Sequence, residues 1–189
     1  MLVLASRSPR RSELLHAAGF HFTVRTADVD ESLLDKESPK AYVQRLAEKK
    51  AQAVAMHPDE MILGADTIVA LGDEILGKPR DEEHAREMLQ KLSGRSHVVY
   101  TGVCLRTPQW MRTGVSCTSV WFDTLTPSEI EAYVRSGEPL DKAGGYAIQG
   151  LAAKYIRRID GSYSNVVGLP VDLVHRLLKE VFQRLTDFE

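Results

Sequence analysis

Asp66 stands between two apolar runs, Met61-Ile62-Leu63 with Gly64-Ala65 before it, and Ile68-Val69-Ala70 after Thr67. Asp is disfavoured inside strands and costly to bury unpaired, so a carboxylate placed there calls for a cation, a metal or a catalytic task. The plainer alternative is an Asp satisfied by backbone donors at a bulge marked by Gly64. Four cations occupy comparable positions: Arg10 and Arg11 after Ser8-Pro9, Lys50 near the end of a long helical pattern, and Lys78 between Gly77 and Pro79. A second carboxylate, Glu31, closes the acidic segment Asp28-Val29-Asp30-Glu31, which is either a Mg²⁺ site or simply solvated. Cations for phosphates and carboxylates for a metal is the division of labour that phosphoryl and nucleotidyl transfer require.

The surrounding pattern says which elements carry these groups. Leu2-Val3-Leu4 reads as a short buried strand, and Ser8-Pro9 starts a helix that Gly19 stops. Two arginines in the first turn of that helix oppose the dipole unless an anion binds there. A second strand is expected from Phe20 to Arg25, and Ser38-Pro39 opens a long amphipathic helix with Tyr42, Val43, Leu46 and Ala47 on one stripe, ending near His57-Pro58. At about 100° per residue, at most one of Lys49 and Lys50 faces a site beside that stripe.

The run ending at Leu63 is expected to be the central strand, with Asp66 at its rim. Gly72-Asp73 then turns the chain back into Ile75-Leu76, and the Gly-Lys-Pro loop holds Lys78 in an extended, constrained backbone. Asp81 caps a helix that Ser93-Gly94 ends. Two long β-rich runs, Ser96 to Arg106 and Gln109 to Thr124, follow as paired strands. Thr126 to Glu129 is a capping box. Asp141 to Gly150 has three glycines and reads as a loop whose backbone approaches something closely. Tyr155 to Ile159 is the last expected strand, and Leu169-Pro170 opens a terminal helix with Leu173, Val174, Leu177 and Leu178 inward. The order of elements is that of an α/β fold with a mixed sheet.

With 189 residues, 43% hydrophobic and 26% charged, the chain has the composition of one globular domain, 1–189, with room for two lobes around a cleft. A net charge of -2 argues against stable nucleic-acid binding. Cys104 and Cys117 have no metal spacing and form no disulfide framework, so a reducing cytoplasm is expected. Met1 to Ala5 is too short, and too soon followed by arginines, for a signal peptide, and no run is long enough to span a membrane. Neither the G-x-x-x-x-G-K-[ST] nor the G-x-G-x-x-G fingerprint is present, which argues against a conventional ATPase or dehydrogenase.

Taken in order, Ser6-Arg7-Ser8-Pro9-Arg10-Arg11, Glu31, Lys50-Ala51, Gly64-Ala65-Asp66-Thr67, Gly77-Lys78-Pro79, Leu92-Ser93-Gly94, Asp141 to Gly150, and Asp160-Gly161-Ser162-Tyr163 through Gly168-Leu169-Pro170 resemble the Maf family of nucleoside triphosphate pyrophosphatases over essentially the whole chain. The resemblance implies a two-lobed mixed β-sheet with flanking helices, similar to the inosine triphosphate pyrophosphatases, with an active-site cleft between the lobes. It implies a divalent metal (Mg²⁺, Mn²⁺ or Co²⁺) and release of pyrophosphate from a nucleoside triphosphate. Carried over by position, the catalytic base falls on Asp66 and the metal ligands on Glu31 and Asp66. Substrate contacts fall on Ser8, Arg10, Arg11, Lys50, Thr67, Lys78 and Gln149, with Arg10, Thr67 and Gln149 selecting the base.

The Asp141 to Gly144 and Ile148 to Gly150 pattern resembles the branch acting on dTTP and UTP, although Gly145 and Ala147 stand in the reverse of the expected order. The methylated-GTP branch is the alternative. The substrate is the expected partner, with room for a homodimer. A nucleotide-responsive regulator of division is the competing class, but a binding-only protein would not need Asp66 and Glu31 beside four cations.

Overall fold

A computed structural model describes residues 1–186. Its strands are β1 (Leu2–Ala5), β2 (Phe22–Val24), β3 (Met61–Leu71), β4 (Glu74–Leu76), β5 (Ser96–Arg106), β6 (Met111–Phe122) and β7 (Ile156–Asp160). They form one mixed sheet in the order β2-β1-β3-β5-β6-β7, with β4 paired to β3. The helices are α1 (Pro9–Ala17), α2 (Pro39–Ala53), α3 (Glu82–Leu92), α4 (Pro127–Val134), α5 (Tyr163–Val167) and α6 (Val171–Thr186). Among the described residues, no helix is long and apolar enough to cross a membrane.

The chain divides into two compact units: Met1–Asp66, Thr101–Ser116 and the segment from Gly168 onward make the first, and Thr67–Tyr100 with Cys117–Val167 the second. Local chemistry sets most boundaries. Ser8 is the N-cap of α1 with Pro9 following, the Asp81 side chain accepts from His84 N at 2.8 Å, and Thr126 and Glu129 complete the capping box of α4. The helix α2 ends at Ala53, because Val54 is already extended, rather than running on to His57-Pro58. The strand β2 is shorter than Phe20 to Arg25, and α5 had no periodic signal in five residues.

In the first unit, strand alternation sends Leu2, Leu4, Leu63, Ala65, Val103 and Leu105 to one face, where Leu15 and the α6 residues Leu173, Val174, Leu177, Leu178 and Val181 cover them. Val3, Ala5, Ile62 and Cys104 face the other way and meet Ala47 and Ala51 of α2, with Val54 just beyond its end. Glycine permits that second contact. A Cβ built on Gly64 would lie 2.2 Å from Ala47 O and 2.8 Å from Ala51 N, and one on Gly102 would lie 2.2 Å from Val43 O. Gly64 therefore marks a helix seated on a strand, not the bulge its position in the sequence allowed.

Gly64→Ala is expected to cost about 3 kcal/mol, because the obstacle is helix backbone and not a movable side chain. Gly77→Ala meets nothing within 4 Å, and should stay within about 0.5 kcal/mol of the parent. Urea denaturation of the two variants checks the contrast.

The second unit has its own core, built from Val69, Leu76, Leu89, Leu92, Phe122, Ile130, Tyr133, Tyr146 and Tyr155 among others. His97 is buried within it, 2% exposed, with its ring edge-on to Phe122 and Tyr146. Burial holds its imidazole down at about 4, against the ordinary 6.5. A depressed folded value means that the unfolded chain takes the proton first as pH falls. The stability is complete above about pH 6.5 and is lost on descent towards pH 4, by up to about 3 kcal/mol. Urea midpoints measured from pH 7.5 to 4 should show this acid loss in the parent protein and a smaller one in His97→Gln.

Candidate active site

Alternation along β3 decides where Asp66 points. Ile62 and Gly64 face α2, so Asp66, two residues on, faces it as well. Because α2 sits directly on Gly64 between Ala47 and Ala51, Lys50 is carried to the carboxylate, and its Nζ donates to Asp66 Oδ1 at 2.6 Å. The same ammonium is 2.8 Å from Glu31 Oε1. Two carboxylates widely separated in sequence thus converge on one cation.

Asp66 is not at the rim of its strand. The strand β3 runs unbroken from Met61 to Leu71, its pairing with β1 stops at Gly64, and its pairing with β4 starts only at Val69. Between those ladders the strand turns to other partners, and the Ala65 carbonyl accepts from Arg11 at 2.9 Å. Asp66 is 7% exposed. Burial raises its carboxyl above the ordinary range, opposed by the charges of Lys50 and Arg11 and assisted slightly by Glu31. A raised carboxylate is the stronger base.

Arg11 lies one turn before Leu15 on α1 and shares its inward face, which buries it to 8% exposure. Its Nε donates to Gly168 O, and one terminal nitrogen donates to Ser6 Oγ and Ala65 O, each at 2.9 Å. Those bonds tie α1, the residue after β1, the strand β3 and the segment before α6 together beside Asp66. Ser8 makes no side-chain cap bond, and its backbone N–H is given to Ser6 Oγ at 3.2 Å. Arg10, at the same helix start, is half-buried.

Glu31 is exposed, and its segment is fastened from α2. Tyr42 donates its hydroxyl to Glu31 O at 2.7 Å, and Arg45 donates to Ser32 O at 3.0 Å while pairing with both oxygens of Glu37 at 2.6 Å. Burial first, then the charges of Asp66 and Glu31, push the Tyr42 phenol up to about 12, so it stays a donor. Sequence reasoning gave Tyr42 only a place on the core stripe and passed over Arg45. The one available signal was a Tyr and an Arg at helical spacing before Lys50. Lys49 reaches Asp30 O at 3.5 Å in an exposed setting and does not join the carboxylate pair.

Three further candidates belong to the second unit. Thr67 is half-buried and, by alternation, points away from the face of Asp66. Lys78 is exposed in the loop after β4, and Gln149 is exposed in a turn closed by Gly150 N donating to Ala147 O at 3.1 Å. The Lys78 and Gln149 segments are joined directly, since Gly144 N donates to Gly77 O at 3.0 Å.

The family model described as Maf-like protein matches residues 1–181. The chain belongs to the Maf family. A Myxococcus xanthus relative named dTTP/UTP pyrophosphatase is 53% identical over 180 residues, covering 95% of this chain and 91% of its own. A relative of the same name from Pseudoalteromonas atlantica is 48% identical, covering 96% of this chain and 97% of its own. The fold of this Maf protein is also seen in a HAM1 protein from Coxiella burnetii, at a TM-score of 0.51 and 16% identity, with 95% of this chain and 98% of that one covered.

Among the described residues, no group of three or more His, Cys, Asp and Glu side chains gathers as a ready metal site in this Maf protein. The donor set that does converge is Glu31 with Asp66, both on the Lys50 ammonium. Two carboxylates holding one cation fit a Mg²⁺-type ion, which takes one or two protein carboxylates and completes its octahedron with waters and substrate phosphates.

Proposed function

We propose that the protein hydrolyses dTTP and UTP to the nucleoside monophosphate and pyrophosphate, with a divalent cation (Mg²⁺, Mn²⁺ or Co²⁺) held by Glu31 and Asp66. The observation that carries this reading is the buried Asp66 carboxylate bound to Lys50 beside Glu31, in a chain about half identical to proteins named for that activity. Asp66 takes a proton from the water that attacks the α-phosphorus. The bond from that phosphorus to the α,β-bridging oxygen breaks, and pyrophosphate leaves. Lys50, Lys78 and Arg10 hold the triphosphate and offset the charge that develops on the leaving group. Arg11 keeps the Ala65-Asp66 backbone in place. The cation, when bound, supplies Lewis-acid polarisation of the phosphate oxygens. The reading places the enzyme in the cytoplasm, in keeping with a sequence whose two cysteines form no disulfide framework.

The base is read by Gln149 with Arg10 and Thr67. The Gln149 carboxamide both donates and accepts, which suits the alternating O2, N3–H and O4 edge of thymine or uracil. Cytosine places a donor where uracil has an acceptor and lacks the N3 proton, and each mismatch costs about 1–3 kcal/mol. dTTP and UTP should therefore exceed CTP by at least about tenfold in kcat/KM, and should differ little from each other, because a pocket separates a methyl group poorly. Gln149→Glu should weaken dTTP hydrolysis. A nucleotide panel with Mg²⁺ and Mn²⁺, reading pyrophosphate against orthophosphate, tests the whole reading. Fastest turnover of GTP or methylated GTP would refute the pyrimidine assignment, and orthophosphate as the product would refute the pyrophosphatase.

A further inference from the structure

The turn that carries Gln149 is gripped at both ends by two side chains that no step above uses. Tyr133, at the end of α4, accepts from Ala147 N at 3.3 Å through its hydroxyl and donates to Glu138 Oε1 at 2.7 Å. The other carboxylate oxygen of Glu138 accepts from Leu151 N at 3.0 Å. The five residues from Ala147 to Leu151, with Gln149 in the middle, are thus spanned by one tyrosine–glutamate pair. A Cβ on Gly150 would lie 2.3 Å from Glu138 Oε2, so the carboxylate is pressed against the backbone next to Gln149. Upstream of the grip, Tyr146 is fixed by a 2.7 Å bond between its hydroxyl and His97 Nε2. An exposed glutamine alone would give up rotamer and loop freedom on meeting a base. This grip removes the loop part of that cost in advance.

We infer that Tyr133 and Glu138 are positioning residues for pyrimidine recognition, holding the Ala147–Leu151 turn so that Gln149 meets the base already oriented. The inference rests on Gln149 being the base reader. Burial, and then the bond to Glu138, push the Tyr133 phenol up, so its hydroxyl remains a donor at any working pH. Tyr133→Phe keeps the ring, which packs edge-on to Tyr155 at 6.1 Å, and deletes only the bridging oxygen.

The test measures kcat and KM for dTTP and CTP in the parent protein, Tyr133→Phe, Glu138→Gln, Glu138→Ala and Gln149→Ala, together with amide exchange of Ala147 and Leu151 in the ligand-free protein. Tyr133→Phe should raise KM for dTTP about three- to tenfold with kcat within about twofold, the pattern of lost ground-state binding. It should narrow the dTTP-to-CTP ratio and speed exchange at both amides. Glu138→Gln, which keeps one acceptor oxygen, should lie between the parent and Glu138→Ala. If Gln149→Ala narrows the ratio while Tyr133→Phe and Glu138→Ala leave it intact, the positioning role is overturned and the base reader stands. If Gln149→Ala leaves the ratio intact, the assignment of the reader fails and the inference falls with it. Unchanged amide exchange in Tyr133→Phe would overturn the grip whatever the kinetics.

Discussion

Asp66→Asn is expected to lower kcat for dTTP by about 10²-fold or more, the usual weight of a positioned general base. The substitution keeps the shape of the side chain and leaves an oxygen to accept from Lys50, 2.6 Å away in the parent. What it removes is the ability to take a proton, together with one of the two carboxylate charges proposed to hold the divalent cation. Nucleotide affinity, read by equilibrium titration, should survive, because the triphosphate contacts are assigned to Lys50, Lys78 and Arg10. The fold should survive as well. Burial is the dominant influence on the Asp66 carboxyl and acts against its charge, so a neutral side chain there relieves a desolvation cost. A urea midpoint at or above the parent value, together with a collapsed kcat, is the signature. Near-normal turnover would remove Asp66 from the mechanism.

Lys50→Ala should reduce kcat/KM about 10²- to 10³-fold, since charge stabilisation of the leaving group is the largest contribution such a residue makes. Lys50 also holds Glu31 and Asp66 to a common point, so its removal leaves two carboxylates facing one another with no cation between them. Lys49 is the internal control. It is the adjacent residue on the same helix, yet its ammonium reaches only the exposed Asp30 carbonyl at 3.5 Å, and Lys49→Ala should cost less than about fivefold. Equal losses at the two positions would mean that α2 presents another face. Because Lys50 and Asp66 act as a unit, the double variant with Asp66→Asn should fall well short of the product of the single losses.

Much of the scaffold follows from nearest neighbours in the chain. Asp81 and the Thr126–Glu129 box each satisfy orphan N–H groups of a helix start within three residues, and Ser8-Pro9 starts α1 without a cap bond, through an extended Ser8 and the φ that Pro9 presets, so α1, α3 and α4 could be started correctly from residue type alone. Gly72-Asp73 turned β3 into β4 for the same reason, since a hairpin turn is decided by the backbone freedom of the residues inside it. The inward face of α6 was likewise legible from its 3.6-residue period.

What lay beyond the sequence depends on partners distant along the chain. Periodicity limited the site to one of Lys49 and Lys50, but the choice was made by Gly64 and Gly102, whose missing side chains let α2 settle at one depth and one rotation on the sheet. The strand β3 could not be seen to continue through Asp66, because a buried carboxylate reads as a strand end until the cation that compensates it is known. Arg11 looked like a phosphate ligand on a helix start, and the fold gave it three protein oxygens, from Ser6, Ala65 and Gly168, that only the assembled chain brings within reach. The grip of Tyr133 and Glu138 on the turn around Gln149 has no motif at all. A capping residue sees its partner three residues away, whereas a positioning bond is made across space, and its geometry exists only once the core has packed.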